Sequence, residues 1–189
     1  MYQLAKRLFD LTIALCLLGP TIAITAIVGV LVKLDSHGPI LFRQVRVGHR
    51  GKPFVCFKIR TMQEEAPQVA THEAPAQLVT RIGTILRRLK VDELPQVWNV
   101  LVGEMSFVGP RPCLPLQAQL VELRLRNHIL DIRPGITGLS QVRGIDMSDP
   151  ETLTRIDAEY LHSASFVLDL RILWRTVAGK GFGDGVRAK

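Results

Sequence analysis

Two adjacent carboxylates, Asp92 and Glu93, follow three cations, Arg87, Arg88 and Lys90, in the segment running from Leu86 to Gln96. This arrangement has two readings. In the local one, Asp92 caps a helix, Glu93 meets the helix dipole in the first turn, and Pro95 is tolerated there. In the chemical one, the pair works on a phosphate. Phosphoryl transfer needs a divalent cation on carboxylate oxygens, cationic side chains on the phosphate oxygens and a nucleophile in line. A carboxylate can itself be that nucleophile and carry an acyl-phosphate. Composition alone favours the cap, because helix caps far outnumber catalytic dyads. The surrounding cations weigh the other way. Lys58 and Arg60 lie in Phe57-Lys58-Ile59-Arg60-Thr61-Met62, and Arg111 lies between two stiffening prolines in Gly109-Pro110-Arg111-Pro112. A glycine-rich run from Arg133 through Gln141 and Arg143 to Gly144 suits a loop that receives an anion on its backbone N–H groups. Each arginine by itself reads as a solvated side chain; together these clusters outline a substrate-binding site around Asp92 and Glu93.

The elements that position these residues follow from periodicity. Alternating apolar positions at Ile40-Leu41-Phe42 and Phe54-Val55-Cys56-Phe57, punctuated by Gly38-Pro39 and Gly48–Gly51, predict one or two short strands. Residues 63–80, with Glu64, Glu65, Glu73, Pro67 and Pro75 and no Lys or Arg, read as a mobile surface loop and a candidate lid. Ile82, Ile85, Leu86 and Leu89 predict a helix over Arg81 to Leu89, with Arg87, Arg88 and Lys90 complementing its C-terminal dipole. A second helix is expected after Asp92, and a third from about Leu116 to Leu130 on Leu116, Leu120 and Leu123, with Glu122, Arg124 and Arg126 as its charged residues. Asp149-Pro150-Glu151 is a helix start. The helix ended by Gly179 carries Phe166, Leu170, Leu173, Trp174 and Val177 on one face, opposite Asp169 and Arg171. With Arg175 and Lys180 nearby, that stripe suits either the protein core or a membrane interface.

Leu11 to Val32 carries no charge. As a helix it would reach about 33 Å, enough for a hydrocarbon layer of about 30 Å. Gly19-Pro20 near its middle removes a backbone donor, which leaves a kinked crossing and a hairpin that re-enters on the same face both open. The basic cluster that follows the run places the body on the cytoplasmic side. The whole chain of 189 residues has 24 Lys+Arg against 17 Asp+Glu, a net charge of +7, with 47% hydrophobic residues. That combination excludes an acidic disordered chain and points to a membrane, a nucleic acid or an anionic substrate. Aromatic residues at 6% are too few to favour stacking on bases. Cys16, Cys56 and Cys113 have no metal-ligand spacing and fit buried small hydrophobes in a reducing compartment.

Six segments then occur in order: Phe57-Lys58-Ile59-Arg60-Thr61-Met62, Asp92-Glu93-Leu94-Pro95-Gln96, Asn99-Val100-Leu101, Gly103-Glu104-Met105-Ser106, Val108-Gly109-Pro110-Arg111-Pro112 and Arg133-Pro134-Gly135-Ile136-Thr137-Gly138. On these motifs the chain, from about Ala5 to Val177, strongly resembles the bacterial sugar transferase family, the monotopic phosphoglycosyl transferases that begin glycoconjugate assembly. The resemblance implies transfer of a phospho-sugar from a nucleotide sugar, usually a UDP-sugar, to polyprenyl (undecaprenyl) phosphate, with release of UMP. By motif position Asp92 corresponds to the family's nucleophile, which becomes a covalent phospho-sugar adduct. Glu93 corresponds to its partner in holding Mg²⁺, so that Asp92 and Glu93 are the metal residues. Lys58, Arg87, Arg111 and Arg133 fall in segments around the phosphates. The family's N-terminal helix is a re-entrant hairpin broken at a proline, and Pro20 matches that proline. Two departures stand out: Gly19 occupies a position where Ser is common, and Lys90-Val91 replaces a common Ser-Leu. Several relatives carry transmembrane helices ahead of the catalytic part, and the single hydrophobic segment here resembles the minimal form.

The expectation is therefore an α+β, mostly helical monotopic membrane protein. Residues 1–34 form the re-entrant anchor broken at Gly19-Pro20, and residues 35–189 form a catalytic domain with short strands and amphipathic interfacial helices. It would sit on the cytoplasmic face of the bacterial inner membrane, with UDP-sugar, polyprenyl phosphate and membrane lipids as partners, downstream glycosyltransferases as further ones, and no nucleic acid. Its products would feed a polysaccharide, O-antigen or glycoprotein glycan. The rivals are a membrane-tethered basic scaffold that binds anionic lipid without catalysis, a nucleic-acid-binding protein, and hydrolysis of the nucleotide sugar at the same site. The sugar and the oligomeric state are not encoded in any motif.

Overall fold

The uncharged run lies within one helix, α1 (Tyr2–Asp35), in a computed structural model that describes residues 2–67, 69 and 75–179. Pro20 lies inside this helix, which continues past it; α1 is long and apolar enough to cross a membrane. Both of its ends are fastened to the same body. Near the N-terminus, Lys6 pairs with Asp169 at 2.6 Å, Arg7 donates to the carbonyls of Val100 and Leu101, and Asp10 accepts from the Phe107 N–H. Near the C-terminus, Val32 packs with Ile59 and Leu86, and the Asp35 carboxylate accepts from the Ile82 N–H. Gly29 allows this second seat: a Cβ there would come within 2.9 Å of the Ile40 side chain. Between the two seats Leu15, Leu17, Ile22 and Ile24 are exposed.

The predicted strands form an antiparallel hairpin, β1 (Leu41–Val47) and β2 (Pro53–Ile59), with Leu41 opposite Ile59 and Val47 opposite Pro53. Helix α2 (Arg81–Leu89) has the expected bounds and is capped by Thr80, whose hydroxyl accepts from the Gly83 N–H. A 3-10 turn at Val91–Glu93 leads into α3 (Gln96–Val102). Strand β3 (Ser106–Val108) pairs in parallel with β4 (Gly135–Thr137). Between them lies α4 (Ala118–Arg126), shorter than the expected Leu116–Leu130. The Asn127 side chain turns back onto the Leu123 carbonyl and His128 takes a left-handed conformation, so the helix stops and a separate 3-10 turn follows at Ile129–Asp131. The short α5 (Leu139–Val142) precedes α6 (Pro150–Ser163), which starts as expected with the Asp149 carboxylate accepting from the Thr152 N–H. The last helix is α7 (Phe166–Val177), followed by Gly179 at φ +79°. The molecule is thus mostly helical with short strands and a long apolar N-terminal helix. The expected loop over 63–80 is bridged at Met62 and Val79; residues 68 and 70–74 of it, including Glu73, and also Lys180, lie outside the described residues.

The main core gathers Ala14 of α1, Cys56 of β2, Val100 of α3, Met105, Tyr160 of α6 and Ile172 of α7. Most of the stripe on α7 faces away from it, although Leu173 packs against this core and Phe166 meets Phe9 edge-on. Asp169 and Ile172 point inward, Asp169 at 2% exposure, whereas Trp174 is 72% and Val177 89% exposed. Of the two settings open to this stripe, Leu173 takes the core one, while Trp174 and Val177 are left on the surface. Asp169 is buried because it is fully occupied there, accepting from Lys6, Tyr2 and Tyr160, whereas Arg171 is exposed. Exposed apolar side chains continue on α2 (Ile85, Leu89) and α3 (Trp98, Val102).

Candidate active site

The Asp92–Glu93 pair occupies the 3-10 turn between α2 and α3. The local reading of Asp92 as a cap does not hold: helix α3 begins after Pro95 with no side-chain cap, and the turn has none either. Instead Asp92 is buried, 7% exposed. Burial pushes its carboxyl up to about 6, with the Glu93 charge adding to the rise and Lys58, Arg87 and Arg111 opposing it. Glu93 goes the other way. Burial works against its charge, but Arg111 and Lys58 outweigh burial and hold the carboxyl down at about 2. Two neighbouring acids whose environments separate their titrations are suited to different roles: a permanently charged Glu93 that organises cations, and a more basic Asp92 carboxylate.

Three elements bring the cations in. Lys58 on β2 reaches Glu93 Oε1 at 3.1 Å. Its strand is clipped to α3 by Asn99, whose amide accepts from the Phe57 N–H and donates to the Val55 carbonyl, like a strand partner on the open edge. Arg111, in the irregular segment after β3, reaches the same Oε1 at 2.9 Å. Helix α2 presents Arg87, whose Nε donates to Thr61 Oγ1 at 2.9 Å. One turn earlier, Gly83 lies so close to the Thr61 backbone that a Cβ would come within 2.1 Å of its carbonyl oxygen. Residues four apart share a helix face, so this close seat fixes the direction of Arg87. Lys90, half-buried in a left-handed turn at φ +56°, lies beside these groups; burial lowers its pKa, with the Glu93 charge opposing and that of Arg111 adding to the fall.

The other candidates are engaged elsewhere. Arg60 is buried and donates to the Pro39 and Ser36 carbonyls and to Ser36 Oγ, bracing the chain between α1 and β1. Arg88 is exposed on α2. Arg133 donates to the Gly103 carbonyl at the end of α3. Gln141 donates to the Ile136 carbonyl within its own glycine-rich loop. Arg143 forms a two-pronged pair with Glu159 at 2.5 and 2.6 Å. The structure thus brings Lys58, Arg87 and Arg111 to the acidic pair and gives Arg60, Arg88, Arg133, Gln141 and Arg143 other settings. Sequence reasoning had Lys90 among the cations before the acidic pair but not among the substrate-binding residues, and read Arg124 only as a charged residue of its helix. Arg124 is 1% exposed; its position four residues after the buried Leu120 is the signal that placed it on the inner face.

No cluster of three or more His, Cys, Asp or Glu that would cage a cation by protein alone occurs among the described residues. Mg²⁺ is commonly held by one or two carboxylates completed by substrate phosphates, and Asp92 with Glu93 is a donor set of that kind.

Residues 1–181 match the family model described as bacterial sugar transferase. The uncharacterized sugar transferase EpsL of Bacillus subtilis (strain 168) is 40% identical over 186 residues, covering 98% of this chain and 91% of that protein. The UDP-glucose:undecaprenyl-phosphate glucose-1-phosphate transferase of Caulobacter vibrioides is 40% identical over 185 residues, covering 93% of this chain and 69% of its own length. The protein of the same name from Escherichia coli (strain K12) is 37% identical over 194 residues; the match takes in 95% of this chain and only 40% of that longer protein. Since the match runs through every segment that builds the site, the chain belongs to the bacterial sugar transferase family of enzymes.

Proposed function

We propose that the protein transfers a phospho-sugar from a UDP-sugar to polyprenyl phosphate, through a covalent adduct on Asp92. The observation that carries this reading is the pair of opposed acids: Asp92 raised to about 6 by burial, beside Glu93 held near 2 by Arg111 and Lys58. At pH 7 to 8 Asp92 is ionised, poorly solvated and more basic than an ordinary aspartate, which suits a nucleophile. An Asp92 oxygen attacks the phosphorus that bears the sugar; the bond from that phosphorus to the bridging oxygen breaks and UMP leaves. The phosphate of the polyprenyl acceptor then attacks the same phosphorus, freeing the carboxylate and giving a polyprenyl-diphospho-sugar. Lys58 and Arg111 keep Glu93 ionised, and Arg87, from the seat on Thr61, adds positive charge beside the nucleophile. Mg²⁺ held by Asp92 and Glu93 would neutralise diphosphate charge when bound. The names of the Caulobacter and Escherichia relatives favour glucose 1-phosphate as the transferred group and undecaprenyl phosphate as the acceptor.

The acceptor is a membrane lipid, and the exposed apolar surface suits a protein that meets it in the bilayer. Both ends of α1 rest on one body while many apolar side chains between them are exposed, which favours a helix that enters and leaves by the same face over one that crosses. In such a helix Pro20 would mark the turning region, and Gly19 would ease a bend there. The outward stripe of α7, with Trp174, Arg171 and Arg175, has the composition of an interfacial helix. We place this body on the cytoplasmic face of the inner membrane, where UDP-sugars are made.

The test is a panel of UDP-sugars with undecaprenyl phosphate and Mg²⁺, read as UMP release and by intact-protein mass spectrometry. The expected result is UMP release and, without acceptor, a phospho-sugar adduct on Asp92. UMP release with no adduct would reject the covalent route, and no turnover with any UDP-sugar would leave the lipid-binding scaffold as the better reading.

A further inference from the structure

The segment Arg111 to Leu114 is buried and belongs to no helix or strand, so its carbonyls have no ladder to satisfy them. Four consecutive carbonyls from Pro110 to Cys113 are nevertheless matched, each by a donor from elsewhere. The Gly135 N–H of β4 donates to Pro110, and the Val47 N–H at the end of β1 donates to Cys113, both at 2.9 Å. The two between them are taken by guanidinium groups: Arg124 Nη1 of α4 donates to the Arg111 carbonyl at 2.6 Å, and Arg46 Nη1 of β1 donates to the Pro112 carbonyl at 3.0 Å. Both arginines are buried.

Each arginine is itself held. Arg124 Nη2 pairs with Asp157 Oδ2 of α6 at 2.6 Å, and the other oxygen of Asp157 accepts from Ser140 Oγ of α5 at 3.1 Å. Arg46 Nη2 donates to Gln44 Oε1 at 2.6 Å. Burying a cation is a costly way to satisfy a neutral carbonyl unless the site needs that segment fixed. What the segment carries is the Arg111 side chain, whose 2.9 Å contact with Glu93 leaves no slack: a backbone shift of about 1 Å would open it beyond hydrogen-bonding distance.

We infer that Arg46 and Arg124 are positioning residues for phospho-sugar transfer, which grip the Arg111 and Pro112 carbonyls from opposite sides and so aim the Arg111 guanidinium at Glu93. This rests on the reading of Asp92 and Glu93 as the reaction centre. Neither arginine touches substrate; both act through Arg111. Lysine at either place keeps the charge but loses the planar fork that serves two acceptors at once.

The experiment is a double-mutant cycle on the full-length protein in detergent, read as the single-turnover rate of adduct formation with UDP-sugar and Mg²⁺, with KM and thermal melts alongside. Arg124→Lys and Arg46→Lys should each slow the reaction about tenfold to a hundredfold, the scale of a misplaced catalytic group, with KM for the UDP-sugar changed less than about twofold. In an Arg111→Met background, where no guanidinium remains to aim, either change should cost less than about twofold more. Ile172→Ala, a core truncation on α7 outside the cluster that holds Cys113, is the control for lost folding; its effect should multiply with that of Arg111→Met. Losses from Arg124→Lys and Arg46→Lys that also multiply with Arg111→Met, or that follow the melting temperature alone, would overturn the inference. So would a control that fails to multiply. A wild type that forms neither adduct nor UMP overturns the underlying function instead, which the cycle distinguishes because it begins from the wild-type rate.

Discussion

Replacing Asp92 by Asn should do two opposite things: abolish transfer and stabilise the fold. The folded carboxyl is pushed up to about 6 from an ordinary 3.8 by burial. A raised acid holds its proton more tightly in the fold than in the unfolded chain, so its ionised form is penalised there. The penalty is fully present above the folded value and vanishes as pH falls toward the unfolded one. For this difference it amounts to about 3 kcal/mol at pH 8. Asn has nearly the same shape and no charge to desolvate; the repulsion from Glu93 and the attraction of Lys58, Arg87 and Arg111 that it also removes are already contained in that net rise. At a few degrees per kcal/mol for a chain of this size, Asp92→Asn should melt roughly 6–12 °C higher at pH 8, with the gap closing by about pH 4. Melts of both proteins in the same detergent across that range measure it, with intact-mass spectra confirming that the variant forms no phospho-sugar adduct. A variant no more stable than wild type at pH 8, or a gap that does not depend on pH, would refute the claim that the nucleophile is held in a destabilised ionised state.

Other expectations follow from the same geometry. Lys58→Met removes a cation that favours both ionised carboxylates, so the acid limb of the rate of adduct formation should move to higher pH, away from about 6; a pH–rate profile superimposable on that of wild type would exclude this role. Glu93→Gln should raise the Mg²⁺ concentration needed for half-maximal UMP release by more than about tenfold, since it removes one of two anionic donors; an unchanged titration counts against its metal role. Lys6→Met leaves Asp169 in the core with only the Tyr2 and Tyr160 hydroxyls, and should cost about 3 kcal/mol in a denaturation series, as for other broken buried pairs. Trp174→Glu, on the bare face of α7, should weaken binding to liposomes while leaving the melting temperature within about 2 °C of wild type; unaltered liposome binding would remove α7 from the membrane contact.

Much of the local structure is written in short-range chemistry, which is why the chain order alone carries it. Helix α2 follows from its apolar spacing and the Thr80 cap, and α6 from Asp149-Pro150, because caps and periodicity act within a few residues. The hairpin is set by alternation around Gly48 and Gly51. The acidic pair, and a larger pool of candidate cations that includes Lys58, Arg87 and Arg111, could be named from residue type and spacing. What spacing could not supply is which cations converge. Arg60 and Arg111 look alike between their motif neighbours, yet Arg111 meets Glu93 while Arg60, just past the end of β2, is taken up by Pro39 and Ser36 at the foot of α1. The charge state of Asp92 is likewise mainly a tertiary property: burial is the largest cause of its rise, and the adjacent Glu93 charge adds to it. The direction of the α7 stripe was equally undecided by periodicity, which gives a face but not its partner; Lys6, Tyr2 and Tyr160 gathering on Asp169 chose it. By itself, then, the sequence determined most of the longer helices, the strand segments, the long apolar helix and the pair of acids, all of which depend on near neighbours. The tertiary structure alone decided which cations serve that pair, which arginines hold the backbone in place and which apolar face is left bare, since each depends on groups far apart in the chain and on how much water the packed elements exclude.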